Sequence, residues 1–436
     1  MLILHYNFLK FIMSANKKIA IHTLGCKLNF AESSFLLDKF RKKYYEIVSF
    51  DEDADIYIIH SCTVTATADK KTRQIINKVK NAKPTAQIAL IGCMVDNLSS
   101  DNAIFNKTTW ALGNKDKMML PEIIENEKCD YISNDFDFQL AVSTFDRTRS
   151  FLKIQDGCDY FCTYCTIPYV RGRSRSAKID DILAQLDKLV DEGIKEVIFT
   201  GVNIGDFGKN NDENFYNLLK TIANKHYPMR FRISSIEPDL LSQEIIDLVA
   251  NTEVFMPHFH IPLQHGSDRI LKLMRRRYSS RDFINLIYSI KKSIPEAFIA
   301  NDVIVGFPGE SDDDFNEMYT LLKDLPIAYL HVFPYSDRPL ARSFNFDDKI
   351  SPEIKKQRST ALIKLSNKKH EDFCKNFLNM SANVLWEAKN EDGFISGYTE
   401  NYIRVFSNFD ENLINKISKV RLEKIENNRI IAKIIE

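Results

Sequence analysis

Apolar residues along the chain alternate between short β-branched runs and stretches of helical spacing, and that rhythm changes twice. From Lys17 to Gly113 the runs 18–24, 55–60, 86–91 and 109–112 are separated by helical stretches, which predicts a small parallel α/β sheet. Asn126 to Ser150 is charged and lacks periodicity, and reads as a junction. From Phe151 the rhythm resumes, with candidate strands at 151–155, 196–200, 230–235, 257–263, 298–305 and 328–334 and amphipathic helices such as Ile179–Glu192 and Arg281–Ser293. Six βα units are too few for a closed eight-fold barrel, so the pattern predicts a partial (β/α)6 barrel. After Asn379, five short runs at 381–389, 394–398, 402–406, 417–424 and 429–435 predict a small β-barrel of the OB type. The class is α/β, with expected units at 16–128, 151–376 and 377–436 and a linker at 129–150. Residues 1–15 read as a disordered or non-native extension: Met1 to Met13 is apolar in pieces but lacks an early positive flank and a small-residue cleavage site, and Met13 is a plausible natural start.

Composition alters this picture little. The 59 Lys and Arg balance the 59 Asp and Glu, so no global basic field announces nucleic acid, and an RNA partner has to be sought in local patches. No apolar run reaches the ~18 residues of a membrane span. Eight cysteines in 436 residues, at 26, 62, 93, 129, 158, 162, 165 and 374, are too sparse for a disulfide framework and imply a reducing, cytoplasmic setting.

The spacing of those cysteines carries chemistry. Cys158, Cys162 and Cys165 form C-x3-C-x2-C, with no fourth cysteine in the next two hundred residues. Three thiolates can hold three irons of a four-iron cluster and leave the fourth open to a ligand. The alternative is a three-cysteine zinc site, although no further Cys or His stands at ligand spacing. Cys26, Cys62 and Cys93 each stand just beyond the carboxyl end of a predicted strand, the edge where open α/β sheets bind ligands, so they are expected to converge. Cys129 and Cys374 have no such context and read as structural.

The spacing, with Tyr164 before the last cysteine, resembles the radical S-adenosylmethionine (SAM) enzymes. The longer run from Gln155-Asp-Gly-Cys158 to Arg171-Gly-Arg173-Ser-Arg175-Ser176 resembles the methylthiotransferases among them. Thr23-Leu-Gly-Cys26-Lys-Leu-Asn29, Ser61-Cys62-Thr-Val-Thr65 and Ile91-Gly-Cys93 are similar to that family's N-terminal cluster motifs, with His60 where asparagine is usual and Phe30 where glutamine is expected. The resemblance implies two [4Fe-4S] clusters. Cys158, Cys162 and Cys165 would hold the one that cleaves SAM, and Cys26, Cys62 and Cys93 the one that carries the incoming sulfur. It also implies a TRAM-like RNA-binding domain at the C-terminus. Small residues at strand ends let backbone approach a cofactor. On that ground Gly201 and Asn203, Ser235 and Glu237, and Asp302 and Gly306, together with Tyr164, are the candidate SAM contacts, Glu237 as an acceptor for ribose hydroxyls. Gly25-Cys26-Lys27-Leu28-Asn29 resembles the subgroup acting on N6-threonylcarbamoyladenosine at tRNA position 37. The partners this implies are the tRNA anticodon loop, an electron donor such as a flavodoxin or ferredoxin, and a sulfur source. Isopentenyladenosine, a ribosomal-protein aspartate, and a non-catalytic iron–sulfur RNA-binding role stay open as alternatives.

Local basic groups suited to phosphate are Arg171, Arg173 and Arg175, Arg275 to Arg277, and Arg338 and Arg342, the last two in Arg338-Pro-Leu340-Ala341 where the family has Arg-Pro-Gly-Thr. Ser351 to Asn376 is a basic amphipathic helix, either RNA-facing or simply solvated. His258, His260 and His265 read as parts of a half-polar strand rather than as acid–base groups.

Overall fold

Ile56–Ser61 is buried along its whole length, which requires cover on both faces of its sheet. The computed structural model describes residues 17–99, 101–125, 138–143, 148–427 and 429–435. The first fifteen residues and Cys129 lie outside the described residues. β1 (Lys18–Thr23), β2 (Glu46–Ile47), β3 (Ile56–Ser61), β4 (Gln87–Gly92) and β5 (Trp110–Leu112) form one parallel sheet in the order β2-β1-β3-β4-β5. Alternate residues feed two cores. Ile19, Ile56, Ile58 and Ile91 meet Leu36 and Phe40 of helix Lys27–Lys42. Tyr57, Ile59, Ile88 and Leu90 meet Ile76 and Val79 of helix Ala66–Ala82. The two-residue β2 is too short for a periodicity to reveal.

Part of the expected linker belongs to the second sheet: β6 (Ala141–Val142) pairs antiparallel with β7 (Arg149–Lys153). A short ladder of β8 (Gln155–Asp156) with β9 (Arg175–Ser176) closes the base of the three-cysteine loop. β7, β10 (Glu196–Thr200) and β11 (Arg230–Ile233) are parallel, as are β12 (His258–His260), β13 (Phe298–Val305) and β14 (Tyr329–Pro334). Bridges at Phe231–Phe255 and Ser235–His260 join the two groups, so six parallel strands follow one another in chain order. Helix Pro352–Lys375 buries Leu362, Leu365, Phe373 and Cys374. Its Ser366 hydroxyl bonds both the amide and the carbonyl of Leu330, and Arg358 is buried against Glu310 at 2.6 Å. This helix is a packed element of the domain, with only its outer charges solvated.

β15 (Ser381–Glu391), β16 (Phe394–Tyr398), β17 (Arg404–Asn408), β18 (Ile417–Glu426) and β19 (Arg429–Ile434) close into a barrel around Trp386, Val405 and Leu422. Phe298, Ala300 and Ala328 belong to the same core, which seats the barrel on the amino ends of β13 and β14. Arg232 donates to the Glu400 and Thr399 carbonyls at 2.7 and 2.8 Å, and Arg149 pairs with Glu387 at 2.8 Å.

The first two domains meet through a buried ionic cluster beside an apolar seam of Ala31, Ala141, Phe151 and Ile198. Glu32, 1% exposed, contacts Lys117 at 2.5 Å, Lys153 at 2.7 Å and Arg171 at 3.1 Å. Asp156 contacts Lys153 at 2.7 Å, Arg171 at 2.9 Å and Arg175 at 3.1 Å. Burial alone would raise both carboxyls, but Arg171 and Lys117 around Glu32, and Lys153 and Arg171 around Asp156, hold them below the ordinary carboxylate range. His60 joins this cluster, its Nδ1 2.8 Å from Ser33 Oγ, and burial beside Lys117 keeps it neutral.

Removing Glu32 leaves buried Lys117 with no carboxylate and Lys153 and Arg171 with Asp156 alone, so Glu32→Ala is expected to cost about 3–5 kcal/mol, read as a lower Tm of the apoprotein. Because both folded carboxyls titrate below their unfolded values, their contribution is complete above about pH 4.5 and is withdrawn as pH falls through the folded values. Acid unfolding of Glu32→Gln should therefore depend less steeply on pH than that of the wild type.

Candidate cluster and cofactor site

Gly157 sits at φ +70°, and a Cβ there would lie 1.9 Å from the Arg173 carbonyl oxygen, so only glycine can open the three-cysteine loop. The Cys158 amide donates to Gly172, and the Cys165 amide to the Cys162 carbonyl at 3.0 Å, which turns the three thiols toward one another. The loop supplies further donors to the sulfurs, the Tyr160 amide to Cys158 at 3.5 Å and the Ile167 amide to Cys165 at 3.4 Å, and Arg276 from outside the loop donates to Cys162 at 3.0 Å. Burial pushes the Cys158 thiol up to about 12 and raises Cys162 and Cys165 as well. Thiols so placed ionise when a metal supplies the positive charge.

The second set is built by three strand ends. Cys26 follows β1, Cys62 follows β3, and Cys93 opens the helix after β4. Gly25 at φ +103° brings the first loop so close that a Cβ there would lie 2.8 Å from Cys62 Cβ. Burial, with Cys26 and Cys93 alongside, pushes the Cys62 thiol up to about 12, while the Cys26 residue is exposed. Asn29 organises this edge. Its amide donates to the Leu24 and Ser61 carbonyls and its oxygen accepts from Arg171 at 2.6 Å. Among the described residues, the group of three potential metal ligands whose donor atoms all lie within 4.8 Å is His260, Asp302 and His331. Neither cysteine set is that tight, which fits a cluster of several irons better than a single tetrahedral zinc.

One cysteine of each set lines a cavity, and the two cavities share Asp302. A cavity of about 850 Å³ is lined by Cys26, Lys27, Gly201, Ser235 and Asp302, and one of about 210 Å³ by Tyr164, Cys165, Gln264 and Asp302. A larger cavity of about 980 Å³, at the junction with the C-terminal barrel, contains none of these residues. Asn203, two residues after Gly201, is 2% exposed with neither its side-chain nitrogen nor its oxygen partnered, and the Ser234 hydroxyl, which lines the cavity of about 850 Å³, is likewise unpartnered. Orphaned buried polar atoms at the ends of β10 and β11 fit a polar ligand. Gln155 Oε1 accepts the Val202 and Asn203 amides at 2.9 and 2.8 Å and shapes that strand end. Asp302 Oδ1 is 2.8 Å from His260 Nε2. Glu237 is salt-bridged to Arg276, so one of its oxygens is committed within the protein. Gly306 turns away from the cavity: its amide donates to Glu310 at 2.6 Å, and the Lys355 side chain fills the place of a Cβ.

Comparison with known proteins adds to this geometry. The profile described as Radical SAM superfamily matches residues 152–322, and the one described as Uncharacterized protein family UPF0004 matches 18–111. The Threonylcarbamoyladenosine tRNA methylthiotransferase MtaB of Bacillus subtilis is 35% identical over 93% of this chain and 94% of its own. MtaB of Aquifex aeolicus is 37% identical over 82% and 89%. The tRNA-2-methylthio-N(6)-dimethylallyladenosine synthase of Acetivibrio thermocellus is 30% identical over 96% and 92%. Among solved structures, the radical SAM methyltransferase TsrM of Kitasatospora setae superposes with TM-score 0.55 over 73% of each chain at 13% identity, a likeness of fold. The chain belongs to the radical SAM methylthiotransferases.

Membership makes SAM and a [4Fe-4S] cluster the cofactors of this methylthiotransferase. It does not rescue the reading of the arginines. Arg171, Arg175 and Arg276 are committed to Asp156, Glu32 and Glu237, and Arg338 bonds Thr63 at 2.6 Å and pairs with Asp69 across the domain interface. They are positioning groups. Arg173, Arg275, Arg277 and Arg342 remain exposed. A cation two to six residues from a cysteine loop and flanked by glycine was the sequence signal for Arg171. Arg276, whose partners lie 39 and 114 residues away, had none. His260, set aside as a strand residue, and His331, which drew no sequence expectation, line the cavity beside Asp302.

Asn203→Ala is expected to weaken SAM binding about tenfold, the worth of one buried hydrogen-bonded group, with iron content unchanged. Calorimetry on the anaerobic, cluster-loaded enzyme measures it, and an unchanged Kd would remove Asn203 from the cofactor site.

Proposed function

We propose that this methylthiotransferase acts on tRNA and converts C2–H of N6-threonylcarbamoyladenosine at position 37 to C2–S–CH3. The observation that carries the reading is the pair of three-cysteine sets, one from each domain, of which Cys26 lines a cavity large enough for a modified base and Cys165 lines a smaller one, with Asp302 common to both. The names of the Bacillus and Aquifex relatives supply the substrate. Cys158, Cys162 and Cys165 hold the cluster that works with SAM. Cys26, Cys62 and Cys93 hold a second [4Fe-4S] cluster, the carrier of the incoming sulfur. Bound together, cluster and SAM supply the one-electron chemistry that activates an unreactive C–H bond.

The chain's own residues orient and enclose. Tyr164, Gly201, Asn203, Ser235, Glu237, Asp302 and Gly306 form the SAM side, Glu237 and Gly306 acting through the Arg276 and Glu310 contacts described above. The six parallel strands act as a partial (β/α)6 barrel whose carboxyl ends carry the chemistry. A loop base splayed from its stack enters between the domains. The C-terminal barrel serves as a TRAM-type RNA-binding module, with Lys416, Lys419, Arg421 and Lys424 exposed along one side. A flavodoxin or ferredoxin as electron donor, a sulfur source and a cytoplasmic location complete the reading. No helix among the described residues is long and apolar enough to cross a membrane.

Nucleoside mass spectrometry of tRNA from a deletion strain tests the substrate: the 2-methylthio derivative of threonylcarbamoyladenosine should be absent and return with the gene. Its persistence would refute the reading. In purified protein, Cys158→Ala should abolish 5′-deoxyadenosine formation, whereas Cys62→Ala should retain it and form no methylthio product. Replacing Lys419 or Arg421 by Ala should lower the log–log salt slope of tRNA binding by about one unit each. An unchanged slope would place the RNA contact elsewhere. Truncating the barrel is the poorer test, because it uncovers Phe298, Ala328 and Phe373.

A further inference from the structure

Lys27 follows Cys26 directly, opens helix Lys27–Lys42 and lines the 850 Å³ cavity. A cation is disfavoured at a helix amino end, and the first turn of this helix contains no acidic residue to offset it. Among the described residues the Lys27 ammonium has no hydrogen bond or ion pair, although the residue is half-buried. The other cations around this cavity are committed: Arg404 to Glu391, Arg149 to Glu387 and Arg232 to Glu196. A lysine and a helix amino end together make a positive potential in a cavity whose one lining carboxylate, Asp302, is held by His260 at 2.8 Å. Such an arrangement is costly unless the ligand brings the negative charge.

The proposed substrate has that charge. A threonylcarbamoyl group ends in an α-carboxylate, ionised at neutral pH, whereas a dimethylallyl group has none. C2 and the carbon bearing N6 flank N1 on one edge of adenine, so a base that offers C2 to the Cys26 side turns its N6 substituent toward the same wall. We propose that Lys27 is a specificity-determining residue, its ammonium pairing with the carboxylate of the N6-threonylcarbamoyl group. The inference rests on the substrate reading above and adds the residue that enforces it.

The test compares two anticodon stem-loop RNAs, one carrying N6-threonylcarbamoyladenosine at position 37 and the other its threonyl methyl ester, with wild type, Lys27→Gln and Lys27→Arg. Wild type should favour the free acid by roughly 10- to 100-fold in kcat/KM, the range of a partly buried charge-assisted pair. In Lys27→Gln that ratio should fall to near one through loss on the acid, with iron content retained, and Lys27→Arg should recover part of it. A wild-type enzyme that converts acid and ester equally well overturns the proposal, as does a Lys27→Gln enzyme that keeps the preference. Should Lys27→Gln fail to load iron, the wild-type ratio alone decides. A wild type inert on the free-acid RNA but active on a dimethylallyl one would overturn the substrate reading and this inference with it, an outcome distinct from equal use of acid and ester.

Discussion

A carboxylate with almost no water around it holds the two cysteine-bearing domains in register. Glu32 comes from the helix that follows Cys26, and its partners Lys153 and Arg171 come from the second domain on either side of the three-cysteine loop. Arg171 also reaches Asn29, whose amide grips the loops bearing Cys26 and Cys62. A displacement of one domain against the other would strand several buried charges at once, and stranding even one costs several kcal/mol. Apolar packing is far less particular about small shifts. The ionic cluster thus fixes the separation between the two cysteine sets.

Arg338, bonded to Thr63 and Asp69, repeats the device on the opposite rim. Arg149 and Arg232 do so at the floor, where they tie the C-terminal barrel to the central sheet. Tyr398, Tyr402 and Arg404 of that barrel consequently line the same cavity as Cys26 and Asp302. Arginine suits all these joints because its planar, permanently charged fork bonds two partners in a fixed orientation. The C-terminal unit is then both a candidate RNA contact and a wall of the reaction chamber.

What the sequence could reveal follows from the range of each interaction. The strands were legible because buried parallel strands read as unbroken β-branched runs, and the cysteines because ligand spacing and strand-end placement are local patterns. The joints were not. Glu32 and Arg171 are 139 residues apart, and nothing near either marks the other as its partner. Arg171, Arg175, Arg276 and Arg338 looked like phosphate ligands for the same reason, since exposed and committed arginines have the same letter. β6 was lost in a charged stretch because two residues carry no period. Phe30, a departure from the family pattern, packs on the apolar seam beside the cavity. His60, another departure, is absorbed into the ionic cluster as a neutral ring.

Division of labour between two cysteine sets, one on each of two domains, is the central claim, and iron stoichiometry with Mössbauer spectroscopy on the anaerobically reconstituted protein tests it most directly. Two four-iron clusters predict about eight irons per chain in the wild type and about four when Cys26, Cys62 and Cys93 are all replaced by Ala. A wild type that binds about four irons, with no loss in the triple variant, would contradict the account.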